Sequence, residues 1–309
     1  MHQVRIGHLS TVYHTAFILM GTDLLERNRI SAQWNLYPSG PDIIRAMENG
    51  SLDLAYIGLP PFIIGLDRGL HARCIAGGHV EGTVIIANPS VAPLESFPDM
   101  GSFLDQFACE SIGTPPKGSI HDIIIRDLLS RYGKESVHVK NYAWADFLHD
   151  ALADGEIMAA AGTPALAVAA RRYGSARVVI PAEKIWSFNP SYGIVATDDL
   201  ISEDDVVSSF IRAHEEVSHM ICQKPRVCAT IVADTCGFVD ESFVEETYRL
   251  SPHYCASLPP EYIQSTAGFA QTLYKLGSTE RLISSDEIFF LAAVERIHPA
   301  GHHYRDGIV

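Results

Sequence analysis

One phrase occurs twice in this chain. In its first occurrence Pro41 to Asn49 reads as a short helix stopped by Gly50, and a strand opens at Leu52-Asp53-Leu54-Ala55. In the second, Asp146 to Ala153 reads as a helix stopped near Gly155, and the strand runs from Ile157 to Ala161. Glycine just past a helix end supplies the backbone freedom the stop needs, and proline suits a helix start. Around each copy the order is the same: strand, helix, strand, short helix ending in glycine, strand, proline-led helix, strand. Strands that alternate with helices are joined by right-handed crossovers into a largely parallel sheet. The repeat therefore predicts an α/β protein with two lobes.

The first copy places strands at Val4–Leu9, Ser31–Tyr37, Leu52–Ile57, Ala72–Gly77 and Thr83–Ala87, with helices over Thr15–Arg27, Pro41–Asn49 and Pro60–Arg68. The second places strands at Ser111–Gly113, Ser136–Val139, Ile157–Ala161 and Arg177–Ile180, with helices from Ser119 or Ile120 to Tyr132, over Ala145–Ala153 and over Pro164–Tyr173. Tyr192–Thr197 reads as a strand returning to the first lobe. From Ser202 onward the periodicity is helical. The last stretch, Gly301–Arg305, shows no period and is expected to be a surface extension.

A chain of 309 residues suits about two domains. Its net charge of -14 repels phosphate backbones, which argues against nucleic acid as a partner. No apolar run reaches the length of a membrane span. The six cysteines form no C-x-x-C pair, and no His-x-x-x-His accompanies the last four, so they read as scattered thiols rather than a zinc site, and no metal ligand is assigned. Met1 leads straight into strand-like residues, without a basic segment followed by an apolar one. The sequence reads as cytoplasmic as it stands, and as extracytoplasmic if a leader has been removed.

The repeated phrase, together with Pro116-Lys117-Gly118-Ser119 opening a helix, resembles the type II periplasmic binding proteins. Within them it is similar to the sulfonate, taurine and nitrate binding components of ABC importers and to the binding proteins for thiamine pyrimidine precursors. The resemblance covers roughly residues 4 to 200. It implies a first lobe built from residues 1–88 and 193–309, a second from 89–192, and a hinge of two crossovers near Asn88 and Pro190. It also implies a small-molecule ligand held where strand ends of both lobes meet, which agrees with the rule for open α/β sheets, and an importer permease as partner.

The candidate ligand-binding residues follow from that placement. Ser10, Thr11, Tyr13 and His14 lie between the first strand and its helix, where a hydroxyl and free N–H groups can hold a polar atom or simply cap the helix. Ser39 and Gly58 end the second and third strands, where glycine permits close approach. Glu81 lies between two strands and would favour an NH-bearing ligand, whereas Lys117, if it points inward, would favour an anion. Gly118, Ser119 and His121 open a helix in the second copy, with Ser119 either cap or ligand contact. Thr163 ends the third strand of that copy, and Asn189 sits at the second crossover. Tyr142, Trp144 and Trp186 could each supply a ring to stack on a flat ligand, Tyr142 and Trp186 being the favoured candidates, although aromatics are more often core.

Two further functions remain open. One is a cytosolic enzyme on the same scaffold, as in thiamine-pyrimidine or menaquinone biosynthesis. Tyr13-His14 matches a Tyr-His pair that the resemblance places in the pyrimidine synthase, but no cluster of adjacent cysteines and no first-loop lysine accompany it. The other is a cytosolic sensor, for which no effector domain is visible. No Walker loop, Rossmann glycine triplet or nucleophile elbow is present, and neither a cofactor nor a catalytic residue is assigned.

Overall fold

The computed structural model describes residues 1–308. Strand β1 (His2–His8) leads into two short helices, α1 (Ala16–Met20) and α2 (Leu24–Arg27), rather than the single helix expected. The break falls at Gly21, where a Cβ would lie 2.3 Å from Thr235 Oγ1 and 2.7 Å from Ile231 Cγ2. Close packing of a C-terminal helix therefore ends α1. Next come β2 (Ile30–Leu36), α3 (Gly40–Glu48), β3 (Leu54–Ile57), α4 (Leu59–Asp67) and β4 (Ala72–Val80). The second unit comprises β5 (Val84–Ala87), α5 (Met100–Leu104), β6 (Ser111–Thr114), α6 (Ile120–Arg131), β7 (His138–Asn141), α7 (Phe147–Ala153), β8 (Ala159–Gly162), α8 (Pro164–Tyr173), β9 (Arg177–Ile180) and α9 (Ala182–Ile185).

β10 (Pro190–Thr197) returns to the first sheet. The chain then runs through α10 (Asp198–Ile201), α11 (Asp204–Gln223), α12 (Pro225–Cys236), α13 (Glu241–Leu250), α14 (Pro260–Lys275), α15 (Ser285–Ile288) and α16 (Ala292–Ile297). Among the described residues no helix is long and apolar enough to cross a membrane.

The two sheets share one plan. The first is ordered β2-β1-β3-β10-β4 and the second β7-β6-β8-β5-β9. In each, the fourth strand runs against its neighbours: β10 is antiparallel to β3 and β4, and β5 is antiparallel to β8 and β9. The remaining pairings are parallel. β5 thus does in the second sheet what β10 does in the first.

This corrects the expected boundary. Val84–Ala87 belongs to the second sheet, so the first crossover lies at Glu81–Thr83 and not near Asn88. Alternation alone could not show it, because β5 is buried on both faces: Ile85 and Ala87 join the large core, while Val84 and Ile86 join a smaller one with Leu148, Leu152 and Leu166. Strands covered on both faces carry no polar side to orient them.

The twin helix stops have a physical cause. Gly50 and Gly155 hold φ of +74° and +73°, the left-handed conformation that glycine adopts at least cost. The acid that follows each one ties down another strand of its sheet: Asp53 bonds Arg5 of the adjacent β1, and Glu156 bonds Lys140 of β7, one strand further on. The tail departs from expectation. His303 and Tyr304 are buried, and Tyr304 Oη donates to the Ser257 carbonyl at 3.0 Å. All six cysteines are free.

Candidate functional site: a cavity between the two sheets

Ser39, Gly58, Ser119 and Thr163 are the N-caps of α3, α4, α6 and α8, and all four line one cavity of about 70 Å³. Each of these helices follows a parallel strand, two from each sheet, so the cavity lies at the carboxyl ends of both sheets. A helix N-terminus carries a partial positive charge of about +0.5 with unpaired N–H groups. Four of them converge here, and no Asp, Glu, Lys or Arg side chain lines the space. The field therefore comes from backbone dipoles and favours anionic or acceptor-bearing groups.

The capping and ligand readings of the hydroxyls are compatible. Ser119 Oγ accepts from Asp122 N and Thr163 Oγ1 accepts from Leu166 N, at 3.4 and 3.2 Å. A hydroxyl that accepts a cap bond still has its O–H to donate. Ser39 differs: its O–H goes to the Asp42 carboxylate, so it is spent within its own helix. Asp122 is spent likewise, accepting from Gly118 N at 2.9 Å, from Arg126 Nε at 2.9 Å and from Asn141 Nδ2 at 2.8 Å.

Two buried histidines complete the wall. His14 packs against Tyr192 with ring centroids 4.1 Å apart, and its Nδ1 has no hydrogen-bond partner although it is buried. Burial, with the nearby His79, His8 and His214, pushes its pKa well below the ordinary value, so the ring is neutral. His121 is 3.0 Å from Thr83 Oγ1 and is lowered to about 4 by burial. Tyr13, also lining the cavity, is held protonated by burial.

Of the residues singled out from the sequence, Thr11, Tyr13, His14, Ser39, Gly58, Ser119, His121 and Thr163 line this cavity. The others do not. Ser10 is in the bend after β1, outside the lining. Glu81 turns into the crossover, where its Oε1 accepts from Phe188 N at 2.8 Å and its Oε2 lies 3.6 Å from His253. Gly118 has φ +84° and shapes the turn before α6, 3.2 Å short of Ile64 at its would-be Cβ. Tyr142 sits against Lys140 and bonds Glu156. Asn189 donates to the Trp186 carbonyl, and Trp186 stacks on Phe269. Lys117 is exposed and absent from the lining.

Sequence reasoning missed Ser191, which lines the cavity while its Oγ accepts from Gly82 N at 2.6 Å. Its signal was its place two residues after Asn189 at the same crossover, but what separates the two is tertiary: Asn189 lies before β10 and turns back to the Trp186 carbonyl, whereas Ser191 is within the strand. It also assigned no metal ligands. Among the described residues one group of possible ligands gathers, Glu215, Cys255, His298 and His303, and none of the four lines the cavity.

Solved structures share this architecture. The ligand-binding component of an ABC-type import system from Staphylococcus aureus, solved with zinc bound, superposes with a TM-score of 0.81 at 13% identity, over 97% of this chain and 100% of that one. The alkanesulfonate-binding protein of Xanthomonas axonopodis pv. citri, bound to MOPS, gives 0.77 at 18% identity, over 94% and 98%. The periplasmic nitrate-binding protein of Synechocystis gives 0.78 at 10% identity, over 97% and 89%. No curated protein matches significantly. At these identities the likeness establishes the two-lobed fold, in which each lobe is an α/β unit. The family model named NMT1-like matches residues 1–233, three quarters of the length, and the chain belongs to the NMT1-like family.

Proposed function

We propose that this protein binds one small solute carrying hydrogen-bond acceptors, anionic or neutral, in the cavity between its lobes, and delivers it to an ABC importer. The observation that carries the reading is the meeting of four helix N-caps around a space with no charged side chain. Ser119 and Thr163 donate from the second lobe, and Thr11 and His14 contribute from the first. The lobes turn about the paired crossovers at Glu81–Thr83 and Phe188–Asn189. A cavity of about 70 Å³ is smaller than the ~150 Å³ that admits benzene, so a solute of that size requires the lobes to part.

Sulfonate, nitrate, small carboxylate and pyrimidine solutes are the classes to screen, by thermal shift and then by calorimetry. One class should raise the melting temperature with one-to-one stoichiometry. Conversion of a compound in the same assay would replace binding with catalysis. His14 is the observation favouring that second reading, because its neutral ring lines the cavity and its Nδ1 has no hydrogen-bond partner.

A further inference from the structure

Glu215, Cys255, His298 and His303 come from four separate stretches: α11, the segment after α13, the end of α16 and the tail. One donor atom from each lies within 4.8 Å of the other three. His298 Nε2 is 3.3 Å from Glu215 Oε1 and 3.4 Å from Cys255 Sγ, and His303 Nε2 is 2.6 Å from Glu215 Oε1. A tetrahedral ion with bonds of ~2.0–2.3 Å has ligand–ligand edges of about 3.3–3.8 Å. The two His298 distances match this, and the His303–Glu215 hydrogen bond at 2.6 Å must open by less than about an ångström to admit the ion.

The atoms facing away from this centre are occupied. Glu215 Oε2 accepts from Ala256 N at 2.8 Å, which leaves Oε1 pointing inward. His298 Nδ1 is 3.0 Å from the Ala300 carbonyl, to which it donates, and this fixes Nε2 as the inward acceptor. Ser257 N donates to Cys255 Sγ at 3.4 Å. The half-exposed His219 ring stacks on His303 at 4.2 Å and closes the outer side. Metal ligands are oriented by outer-shell bonds of this kind.

From this geometry we infer that Glu215, Cys255, His298 and His303 bind one zinc-class divalent ion in a closed, four-ligand structural site. One thiolate, two imidazoles and one carboxylate are a donor set suited to zinc, and four protein ligands leave no open position for chemistry. The ion would fasten the tail to α11. It lies outside the solute cavity and is independent of what that cavity binds.

The test is zinc titration of the chelator-treated full chain in competition with a chromophoric chelator, alongside cobalt(II) substitution. One equivalent per chain should bind. The cobalt form should show sulfur-to-metal charge transfer and the intense visible bands of a tetrahedral centre. Cys255→Ser should remove the charge-transfer band and weaken zinc by more than about 100-fold, beyond the ~10–100-fold that outer-shell changes cost. Cys109→Ser, at an exposed cysteine, should change neither. Zinc binding that Cys255→Ser leaves intact would be a surface event and would overturn the site. If that variant does not fold, a sulfur-free octahedral cobalt spectrum of the unmodified chain would overturn it equally.

Discussion

The carboxylate of Glu81 accepts a hydrogen bond from the backbone N–H of Phe188 at 2.8 Å, and both residues hold left-handed backbone, with φ of +59° and +55°. The Glu81 N–H in turn donates to the Asn189 carbonyl at 2.7 Å. The two crossovers between sheets are thus joined to each other. Left-handed backbone costs a non-glycine residue about 1–2 kcal/mol, so the bonds hold a conformation the chain would not choose. Glu81→Ala should lower stability in urea unfolding by about 1.5–3 kcal/mol, the range for a bond to a charged acceptor. Glu81→Gly should cost less, because it also relieves the backbone. A Glu81→Ala variant as stable as the parent would mean that the bond contributes nothing.

Gly58 and Gly118 mark where the lobes touch. A Cβ on Gly58 would lie 3.3 Å from Ile120 Cβ, and one on Gly118 would lie 3.2 Å from Ile64 Cδ1, in each case on the facing lobe. Gly58 has ordinary φ of -63°, so alanine there strains no backbone and acts only as a wedge. Gly58→Ala should keep the melting temperature within a few degrees yet weaken solute binding, read by calorimetry. Unchanged affinity would show that closure does not require this contact.

Arg172 of α8 bonds Glu246 at 2.7 Å and Asp240 at 3.1 Å, linking the second lobe to the C-terminal helices. Its side chain is more enclosed than those of its partners, but the carboxylates are exposed enough for salt to screen the pair. Arg172→Ala should favour the open form and weaken solute binding about 2- to 5-fold, the equivalent of the ~0.5–1 kcal/mol of a largely exposed pair. Scattering from the ligand-free variant should show a larger radius of gyration. An identical radius and affinity would remove the pair from closure.

Buried neutral histidines set an acid limit. His79 is lowered to about 3 and His121 to about 4 by burial, and His14 lies well below its ordinary value. His14 is surrounded by Tyr13, Tyr56 and Tyr192, His79 by Ser191, Ser251, His253 and Tyr254, and His121 faces Thr83. None of these neighbours is a carboxylate that would stabilise a proton. Below about pH 6.5 the unfolded chain takes up protons that the folded one refuses. The contribution of these three histidines is therefore full above that pH and is lost as pH falls toward 4. His298 and His303, held protonated beside Glu215, contribute with the opposite sign, and their stabilisation is lost as pH rises above about 6.5. The melting temperature should already decline between pH 6.5 and 5, before most carboxylates titrate, and His121→Asn should reduce the slope. A flat profile over that interval would contradict the neutral assignment.

Much of this architecture was legible because it rests on local chemistry. Gly50 and Gly155 stop helices for the same backbone reason, and α8 begins and ends where Pro164 and Tyr173 suggest. The cap at Ser119 was legible in the same way, whereas Ser39 and Thr163 were read only as strand ends and prove to be caps as well. What stayed hidden depends on tertiary neighbours. The sheet that claims Val84–Ala87 is set by pairing with β8 and β9, the break at Gly21 by α12, and the outward turn of Glu81 by Phe188. The burial of His303 and Tyr304 depends on α11 and on the segment after α13, distant in sequence from the tail.

The most direct measurement of the central claim compares solute binding by Ser119→Ala and Ser119→Asp. Aspartate caps a helix as well as serine does, but it places a negative charge where the four helix ends meet. Ser119→Asp should therefore keep near-parental stability and lose binding of an anionic solute, while Ser119→Ala should weaken binding about 2- to 13-fold, the equivalent of the ~0.5–1.5 kcal/mol of one hydrogen bond. Binding of the same anion by Ser119→Asp with parental affinity would contradict the account.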